Sequence, residues 1–228
     1  MACMSTDPLA LLRLMHLVSP ALPIGAFNFS QGLEYAVEEQ VVTDEVTALD
    51  WILGLARHGV GTLDLPILLR VHSACAENDQ LTAMAWSTEL VASRETREAR
   101  AEERHLGQAL AKLLRASGVE QATQWIGEPG TSYVAVFAVA AAHHGITPDA
   151  AAHGYLWAWA ENQVIVAVKL LPLGQTAGQR ILGQALVHIP QIVVHAQRMQ
   201  DTDIGSAVPY ATMASASHES QYTRLFRS

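Results

Sequence analysis

The residues of this chain that could bind a metal ion are histidines and cysteines whose spacing does not complete a ligand set. His72 and Cys75 lie three residues apart on a predicted helix, so they could face one ion. Two ligands do not make a complete site, and a half-buried histidine beside an inert core cysteine is the favoured interpretation. The adjacent His143 and His144 would point about 100° apart on a helix, which prevents joint chelation. A metal-binding protein in its own right therefore stays a secondary hypothesis.

Motifs typical of common enzymes are missing from the sequence. There is no Gly-x-x-x-x-Gly-Lys-Ser/Thr to cradle phosphates, and no Gly-x-Gly-x-x-Gly after a strand to bind a dinucleotide. His-Glu-x-x-His, paired Cys-x-x-Cys and Gly-x-Ser-x-Gly are absent as well. Because these signatures fail together, we predict that the chain catalyses no reaction of its own.

An unusually charged segment, Ser93–Arg104, lies within a long predicted helix, Leu81–Ala116. Helical spacing places its basic and acidic side chains on separate arcs and Glu103 within the apolar stripe. The basic residues are Arg94, Arg97, Arg100 and Arg104, and the acidic ones are Glu95, Glu98 and Glu102. A carboxylate that faces a core needs a partner or a shifted pKa. The segment is either a solvated helix with a paired Glu103, or a set of charges that holds neighbouring helices or a partner in register.

The opening loop, Ser19–Phe27, combines two prolines and a glycine with apolar residues. Ile24, Phe27 and Phe29 supply apolar bulk close to Gln31 and Glu34. Rigid loops that display side chains often carry binding sites. Binding and plain core packing are equally compatible with this pattern.

Composition narrows the class of partner and compartment. The 228 residues are 50% hydrophobic and 16% charged, with a net charge of −8, which disfavours nucleic acid and anionic membranes. Only Cys3 and Cys75 are present, so a reduced compartment fits, and the N-terminus lacks the order of a signal peptide. The most apolar stretch, Tyr155–Leu173, is interrupted by polar residues and predicts buried helices. We expect a cytoplasmic protein that does not bind a membrane.

Helical periodicity and helix punctuation dominate the sequence, and strand signals are scarce. We predict an all-α fold, namely a single irregular multi-helix domain (residues 1–200) with a partly disordered C-terminal tail (residues 201–228). In the first half of the chain, the other predicted helices are Leu9–Val18, Gln31–Glu39 with Asn28 or Ser30 as cap, a helix that Thr43 caps and that ends near Gly59 and Gly61, and one that restarts at Leu65. In the second half they are Tyr133–His143, Pro148 to about Asn162, a further helix that ends at Leu171, and Gln175–Gln200 with a kink at Pro190.

Four blocks of the chain, in order, resemble the urease accessory protein UreF family. They are SPALPIGAFNFSQGLE (19–34), SRETREARAEERHLG (93–107), VKLLPLG (168–174), and DIGS (203–206) followed by HESQYTRLFRS (218–228). The family often has a small hydroxyl residue and then Tyr or His where this chain has Asn28 and Phe29, and Thr where it has Ser220. The first departure puts a role for position 29 in doubt, but not the family.

The resemblance implies an all-helical homodimer that binds a second accessory protein, UreD (also called UreH), and then the nickel-carrying GTPase UreG. That assembly would deliver nickel to apo-urease, and the chain would be its scaffold and a regulator of the GTPase. It would hold no tightly bound cofactor, and nickel would pass only in transit. Two alternatives are a GTPase activator that inserts Arg94 or Arg97 as an arginine finger, and a stand-alone nickel-binding protein that uses His72 and Cys75.

Three groups of residues follow from matching the family blocks. The UreD-type partner would meet the tail, because aromatic and arginine side chains often dominate interface energy; its residues are His218, Glu219, Tyr222, Arg224, Leu225 and Phe226. The GTPase-facing surface would contain Gln31, Glu34 and Lys169. A structural role on the charged helix is expected for Arg94, Glu95, Arg97, Glu98, Arg100 and Glu103.

Overall fold

The computed structural model describes residues 7–227, and within them every regular element is helical. The α-helices are α1 (Pro8–Leu17), α2 (Leu33–Glu38), α3 (Glu45–Leu55), α4 (Leu65–Ala76), α5 (Gln80–Ser93), α6 (Arg97–Ala116), α7 (Tyr133–His143), α8 (Pro148–Leu170), α9 (Gln175–Leu186), α10 (Ile189–Arg198) and α11 (Pro209–His218). A π-helix, Ala56–Asp64, joins α3 to α4, and 3₁₀ turns cover Ala26–Asn28, Glu120–Trp125 and Asp201–Asp203. The predicted all-α domain is confirmed.

Side-chain caps fix where several helices begin. The Thr147 side chain accepts a hydrogen bond from the N–H of Ala150, and Pro148 occupies the first turn of α8, as the sequence predicts. At α3 the cap is Asp44, whose carboxylate accepts from the N–H of Thr47 at 2.9 Å, so the prediction of Thr43 as cap is wrong by one residue. The α2 helix starts after Gly32, and Asn28 does not cap it, but the Ser30 hydroxyl accepts the N–H of Glu34 in its first turn at 3.4 Å.

The predicted helix Leu81–Ala116 is wrong, because the chain turns out of helical geometry between α5 and α6. Arg94 is extended (φ −74°, ψ 113°), and Thr96 caps α6 by accepting from the N–H of Ala99 at 3.1 Å. A threonine side chain that can bond the backbone favours such a start. Arg94 therefore leaves the arc that it was predicted to share with Arg97, Arg100 and Arg104.

Two predicted helix ends are absent. The glycines at 59 and 61 do not stop α3, because the π-helix carries the chain through to α4, giving one continuous helix over Glu45–Ala76. Gly61 allows α10 to approach closely, since an added Cβ would lie 2.6 Å from Ile192 Cγ2. The predicted break near Asn162 is also wrong, and α8 runs unbroken to Leu170.

Among the described residues, Glu45–Ala76 is the one helix long and apolar enough to cross a membrane by length and composition. Within its apolar window, 67% is buried inside the protein. That burial matches a core helix, whose apolar residues pack on neighbouring helices.

The core consists of two clusters of buried apolar residues. The larger one surrounds α7, whose residues Val134–Ala141 are all buried, and involves α4, α6 and α8. The smaller one joins α2, α3, α8 and α9 and includes Phe226 from the C-terminal segment. Small side chains on α7 allow the surrounding helices to pack closely on every face.

The C-terminal segment is ordered against the body of the protein, which the sequence did not predict. Helix α11 packs on α2 and α6, and Ala214, Ser215 and His218 are buried. Upstream, the N–H groups of Gly205 and Ala207 donate to the carbonyls of Thr62 and His58 in the π-helix, at 3.0 and 2.9 Å. The prediction that this tail orders only partly on its own is therefore not supported for the described residues.

Gly107 marks the closest approach of α6 to the start of α7. A Cβ at this position would lie 2.8 Å from the carbonyl carbon of Ser132 and 3.0 Å from the nitrogen of Tyr133. These are backbone atoms that cannot swing aside. Gly183 in α9 is a matched control, because it is exposed and an added Cβ would meet nothing within 4 Å.

We expect Gly107→Ala to lower the free energy of unfolding by about 1–3 kcal/mol, because overpacking forces the two helices apart. Gly183→Ala should raise it by about 0.5–1 kcal/mol, since alanine favours a helix interior. Urea denaturation followed by circular dichroism measures both. Equal effects of the two substitutions would contradict this close approach.

Candidate functional site

The C-terminal segment is held at its end by Glu34, the second residue of α2. One carboxylate oxygen, Oε1, accepts the N–H of Leu225 at 2.6 Å, and Oε2 accepts the N–H of Phe226 at 3.0 Å. Glu34 is buried, so these bonds form away from bulk water. Hydrogen bonds to a charged acceptor are stronger than neutral ones, which fixes the path of the chain here.

His218 lies fully buried between two carboxylates. Its Nδ1 is 2.8 Å from Glu98 Oε2, and its Nε2 is 3.1 Å from Glu34 Oε2. Each ring nitrogen thus lies within hydrogen-bond distance of a carboxylate oxygen. Arg224 donates to the other oxygen of Glu98, Oε1, at 2.8 Å. These side chains form one connected set; we call Glu34, Glu98, His218 and Arg224 the tail clamp.

The start of α6 gives the C-terminal segment further attachments. The Glu219 carboxylate accepts the N–H of Arg97 at 3.0 Å and that of Glu98 at 3.3 Å, which satisfies donors at a helix N-terminus. Thr212 donates a short hydrogen bond to Glu95. Glu95 and Glu98 thus contact another segment of the same chain, as the interpretation of register-holding charges expects.

A second charged cluster surrounds Arg94 inside the protein. Its guanidinium donates to Asp64 at 2.6 Å and to Glu103 at 2.5 Å. Tyr155 donates to Asp64 at 3.2 Å, and Glu103 accepts the N–H of Tyr133 at 2.9 Å. Glu103 is thereby paired, as the sequence requires of a carboxylate that faces the core.

Burial and neighbouring charge shift the pKa values in this cluster in opposite directions. Burial raises the pKa of Glu103, and Arg94 opposes that rise. Burial alone would lower the pKa of Arg94, but the charges of Asp64 and Glu103 outweigh it and raise that pKa well above its usual value. The Arg94 side chain is 20% exposed, and its guanidinium is paired with two carboxylates of its own chain, which does not favour its use as an arginine finger. Arg97, with a side chain 77% exposed, stays available.

Two cavities meet at this cluster. One, of about 120 Å³, lies between the π-helix, the start of α6 and α11. The other, of about 90 Å³, lies beneath the opening loop. Both are lined by the same five residues at their junction, Gln31, Asp64, Glu102, Glu103 and Trp159. Three carboxylates against one arginine give the junction a negative character.

Gln31 stands at that junction and faces inward. Its amide donates to Glu102 at 2.8 Å, and its oxygen accepts the indole N–H of Trp159 at 2.8 Å. The backbone of Gln31 is left-handed (φ 54°), a conformation that costs energy in a non-glycine residue. The network around the side chain holds this geometry.

Lys169 connects the opening loop with the C-terminal segment on the outside of the protein. Its ammonium lies 5.8 Å from the ring centre of Phe27 and 5.7 Å from that of Phe226, within cation–π range. Phe27 is 50% exposed, Leu225 68% exposed and Tyr222 fully exposed. We call Phe27, Lys169, Tyr222 and Leu225 the loop–tail surface.

The structure divides the predicted binding residues into exposed and internal ones. Lys169, Tyr222 and Leu225 are exposed, and Arg224 is partly so. Four others instead use their side chains for contacts within the same chain, namely Glu34, Gln31, His218 and Phe226. Sequence reasoning missed Asp64, Tyr133 and Tyr155; the signal available for Asp64 was its position as an acidic residue directly before the apolar run at Leu65.

The histidines and cysteine with metal-like spacing have other neighbours. His72 is buried, and its Nε2 lies 2.8 Å from the carbonyl oxygen of Ile146. Burial raises the pKa of the Cys75 thiol. Residues 7–227 contain no group of three or more His, Cys, Asp or Glu side chains placed to hold a metal ion.

Comparison with known proteins identifies relatives over almost the full length. A family model described as UreF matches residues 42–186. The chain is 45% identical over 221 residues to the urease accessory protein UreF of Hahella chejuensis, with 97% of this chain and 99% of that protein covered. It is 48% identical over 223 residues to the urease accessory protein UreF of Chromohalobacter salexigens, with 97% and 96% covered.

We expect Arg94→Met to lower the free energy of unfolding by about 3–5 kcal/mol, because Asp64 and Glu103 would stay buried without their cation. Arg180→Met is the matched control, since Arg180 also bridges a carboxylate, Glu45, but at the surface. Its loss should cost less than about 1 kcal/mol. Chemical denaturation of both variants decides, and a loss at Arg94 no larger than at Arg180 would refute the buried cluster.

His218→Ala should release the end of the chain, because two buried carboxylates lose their shared donor. Trypsin cleavage after Arg224, followed by mass spectrometry, should then become at least about tenfold faster, the change expected for a loss of 1.4 kcal/mol. His153→Ala, which removes a half-buried histidine beside Asp149, is the control and should leave that rate unchanged. Unaltered cleavage in His218→Ala would show that the tail clamp does not hold the segment.

Proposed function

The chain belongs to the UreF family of urease accessory proteins, and we propose that it acts by binding other proteins without catalysing a reaction itself. It joins a UreD/UreH-type accessory protein and the GTPase UreG in an assembly that delivers nickel to apo-urease. In that assembly it is the scaffold and a regulator of the GTPase. We further propose that it works in the cytoplasm as a homodimer.

The observation that carries this proposal is the clamped C-terminal segment. The tail clamp and Glu219 use the polar groups of the segment internally, while Tyr222 and Leu225 point to solvent. A segment fixed before binding loses less conformational entropy when a partner docks. Large apolar side chains exposed on a fixed backbone favour protein recognition. We therefore assign the UreD-type partner to the exposed residues Tyr222 and Leu225, with Arg224 beside them.

We assign the GTPase to the neighbouring part of the loop–tail surface, around Lys169. Its ammonium is exposed while Phe27 and Phe226 flank it, so a carboxylate of the GTPase can reach it. Glu34 and Gln31 contribute indirectly, because Glu34 positions Phe226 and Gln31 holds the junction beneath the opening loop. Occupation of the two parts would then be coupled through Phe226.

Nickel is cargo in this proposal and is held only in transit. The two cavities that meet at Asp64, Glu102 and Glu103 are lined by three carboxylates, each of which accepts hydrogen bonds from other residues of the chain. A cluster of carboxylates attracts divalent cations, and the positive charge of the paired Arg94 weakens that attraction so that a cation is not bound tightly. This geometry supports passage between partner proteins.

Co-expression with the other urease accessory proteins and affinity capture through this chain tests the surface assignment. Replacing Tyr222 and Leu225 by Ser should reduce the captured UreD-type protein by at least about tenfold, because the apolar anchors are lost. Leu81→Ser is the control, since Leu81 is 85% exposed on α5 and lies outside the loop–tail surface. Undiminished capture by the double variant would contradict the assignment.

GTP turnover by the captured GTPase separates a scaffold from an activator. An arginine finger contributes about 10³–10⁵ to the rate of phosphoryl transfer. If Arg97→Ala leaves turnover within about threefold, the scaffold role stands; a loss near 10³ would establish the activator instead.

A further inference from the structure

The outer side of helix α6 carries a row of exposed positive charges. The exposed charged residues of this helix are all basic, and we call them the α6 basic face: Arg97, Arg104, Lys112 and Arg115. At about 100° and 1.5 Å per residue, these side chains fall within an arc of about 80° and extend over about 27 Å along the helix. This row of cations lies in a chain whose net charge is −8.

The carboxylates of α6 do not neutralise this face, because they are used inside the protein. Glu98, Glu102 and Glu103 are each at most 10% exposed, and each accepts a hydrogen bond from a side chain outside the α6 basic face. Within residues 7–227, the other three members of the face beside Arg97 form no salt bridge. Arg97 reaches Glu219 at 3.4 Å, but its side chain is 77% exposed. The face therefore keeps its positive charge toward solvent.

The stability of the helix does not account for these cations. Arg97 is the first residue of α6, where the helix dipole disfavours a positive charge. Lys112 and Arg115 lie three residues apart, so their like charges repel each other. In the last turn, the dipole favours Arg115 alone. A charge arrangement that does not serve the fold is typical of a functional surface.

The α6 basic face fits an acidic segment of a protein better than a nucleic acid. Binding of nucleic acid relies on a broad positive surface, whereas this chain is acidic overall. Two exposed carboxylates also lie on segments beside the helix. Glu120 begins the 3₁₀ turn that packs on α6, and the carbonyl of Glu128 accepts from Gln108 of α6 at 3.3 Å. They repel a continuous phosphate backbone, but a protein segment can place its carboxylates at the cations alone.

We propose that the α6 basic face is a docking surface for an acidic segment of a partner protein. That segment lies along α6 and presents carboxylates about 10–12 Å apart, the spacing from Arg97 to Arg104 and from Arg104 to Lys112. Helix α6 exposes no large apolar side chain, so the contact is electrostatic; it speeds association and is sensitive to salt. This inference does not depend on the proposed function.

Carbodiimide coupling to the full chain tests the proposal, because the sequence has two lysines, Lys112 in the α6 basic face and Lys169 outside it. The probe is a synthetic peptide of glutamate and alanine, about 20 residues and thus about 30 Å long as a helix. Mass spectrometry measures the amide that the peptide forms with each lysine. Coupling of acetate under the same conditions corrects for the different reactivity of the two amines.

Relative to acetate, the peptide should favour Lys112 over Lys169 by at least about threefold at low salt, because several ion pairs act together. In 1 M salt, where the screening length is about 3 Å, that preference should disappear. Equal corrected coupling at the two lysines in low salt would overturn the proposal.

The double variant Arg104→Gln, Arg115→Gln removes two cations and leaves the reporting amine of Lys112 in place. Its matched control is Arg57→Gln with Arg198→Gln, which removes two exposed cations from the π-helix and α10. The preference for Lys112 should fall at least about threefold in the first variant and stay unchanged in the second. Equal falls would show that the overall charge attracts the peptide, and would refute a docking surface on α6. Circular dichroism verifies that both variants keep their helices.

A single-stranded DNA of equal charge, added as competitor, distinguishes a protein surface from a general polyanion site. At least about half of the peptide coupling at Lys112 should remain, because the acidic chain repels the DNA. A larger loss would show that the face binds nucleic acid as well as it binds the peptide, and would overturn the assignment to a protein partner.

Discussion

The rest of the arrangement depends on one buried carboxylate, Glu34, which binds the C-terminal segment through two backbone N–H groups and His218. A charge removed from water is costly unless every lone pair finds a donor. The chain meets that condition by folding its last residues back onto α2 and α6. The position of Phe226, and through it the packing around Lys169, follows from this single requirement.

At the start of α6, the charged stretch of sequence forms two separate sets of ion pairs. Arg94, outside helical geometry, pairs with Asp64 and Glu103, whereas Glu98 pairs with His218 and Arg224. Buried charge networks of this kind contribute little net stability, but they penalise any alternative arrangement that breaks them. They therefore specify how the C-terminal segment and the helical core sit relative to each other. That is the property a scaffold for other proteins needs.

Much of the fold could be predicted from sequence, since caps and apolar periodicity are local signals. Pro148 marked the start of α8 correctly, and the all-α class follows from apolar periodicity. Two features could not be predicted, because tertiary contacts determine them. The helix breaks at Arg94, where a buried salt bridge forms, and it continues through Gly59 and Gly61, where α10 approaches closely. The tail clamp could not be predicted from the sequence for the same reason, since Glu34 and His218 are 184 residues apart. Family resemblance singled out Glu34 and the tail, but not that they bind each other.

Hydrogen exchange at the amides of Leu225 and Phe226 tests the central claim most directly, because these two N–H groups end on Glu34. In the isolated chain both amides should exchange at least about tenfold more slowly than in an unstructured peptide, and Glu34→Gln should abolish that protection. Exchange at the unstructured rate in the unmodified protein would contradict the account, since the C-terminal segment would then be free of the clamp.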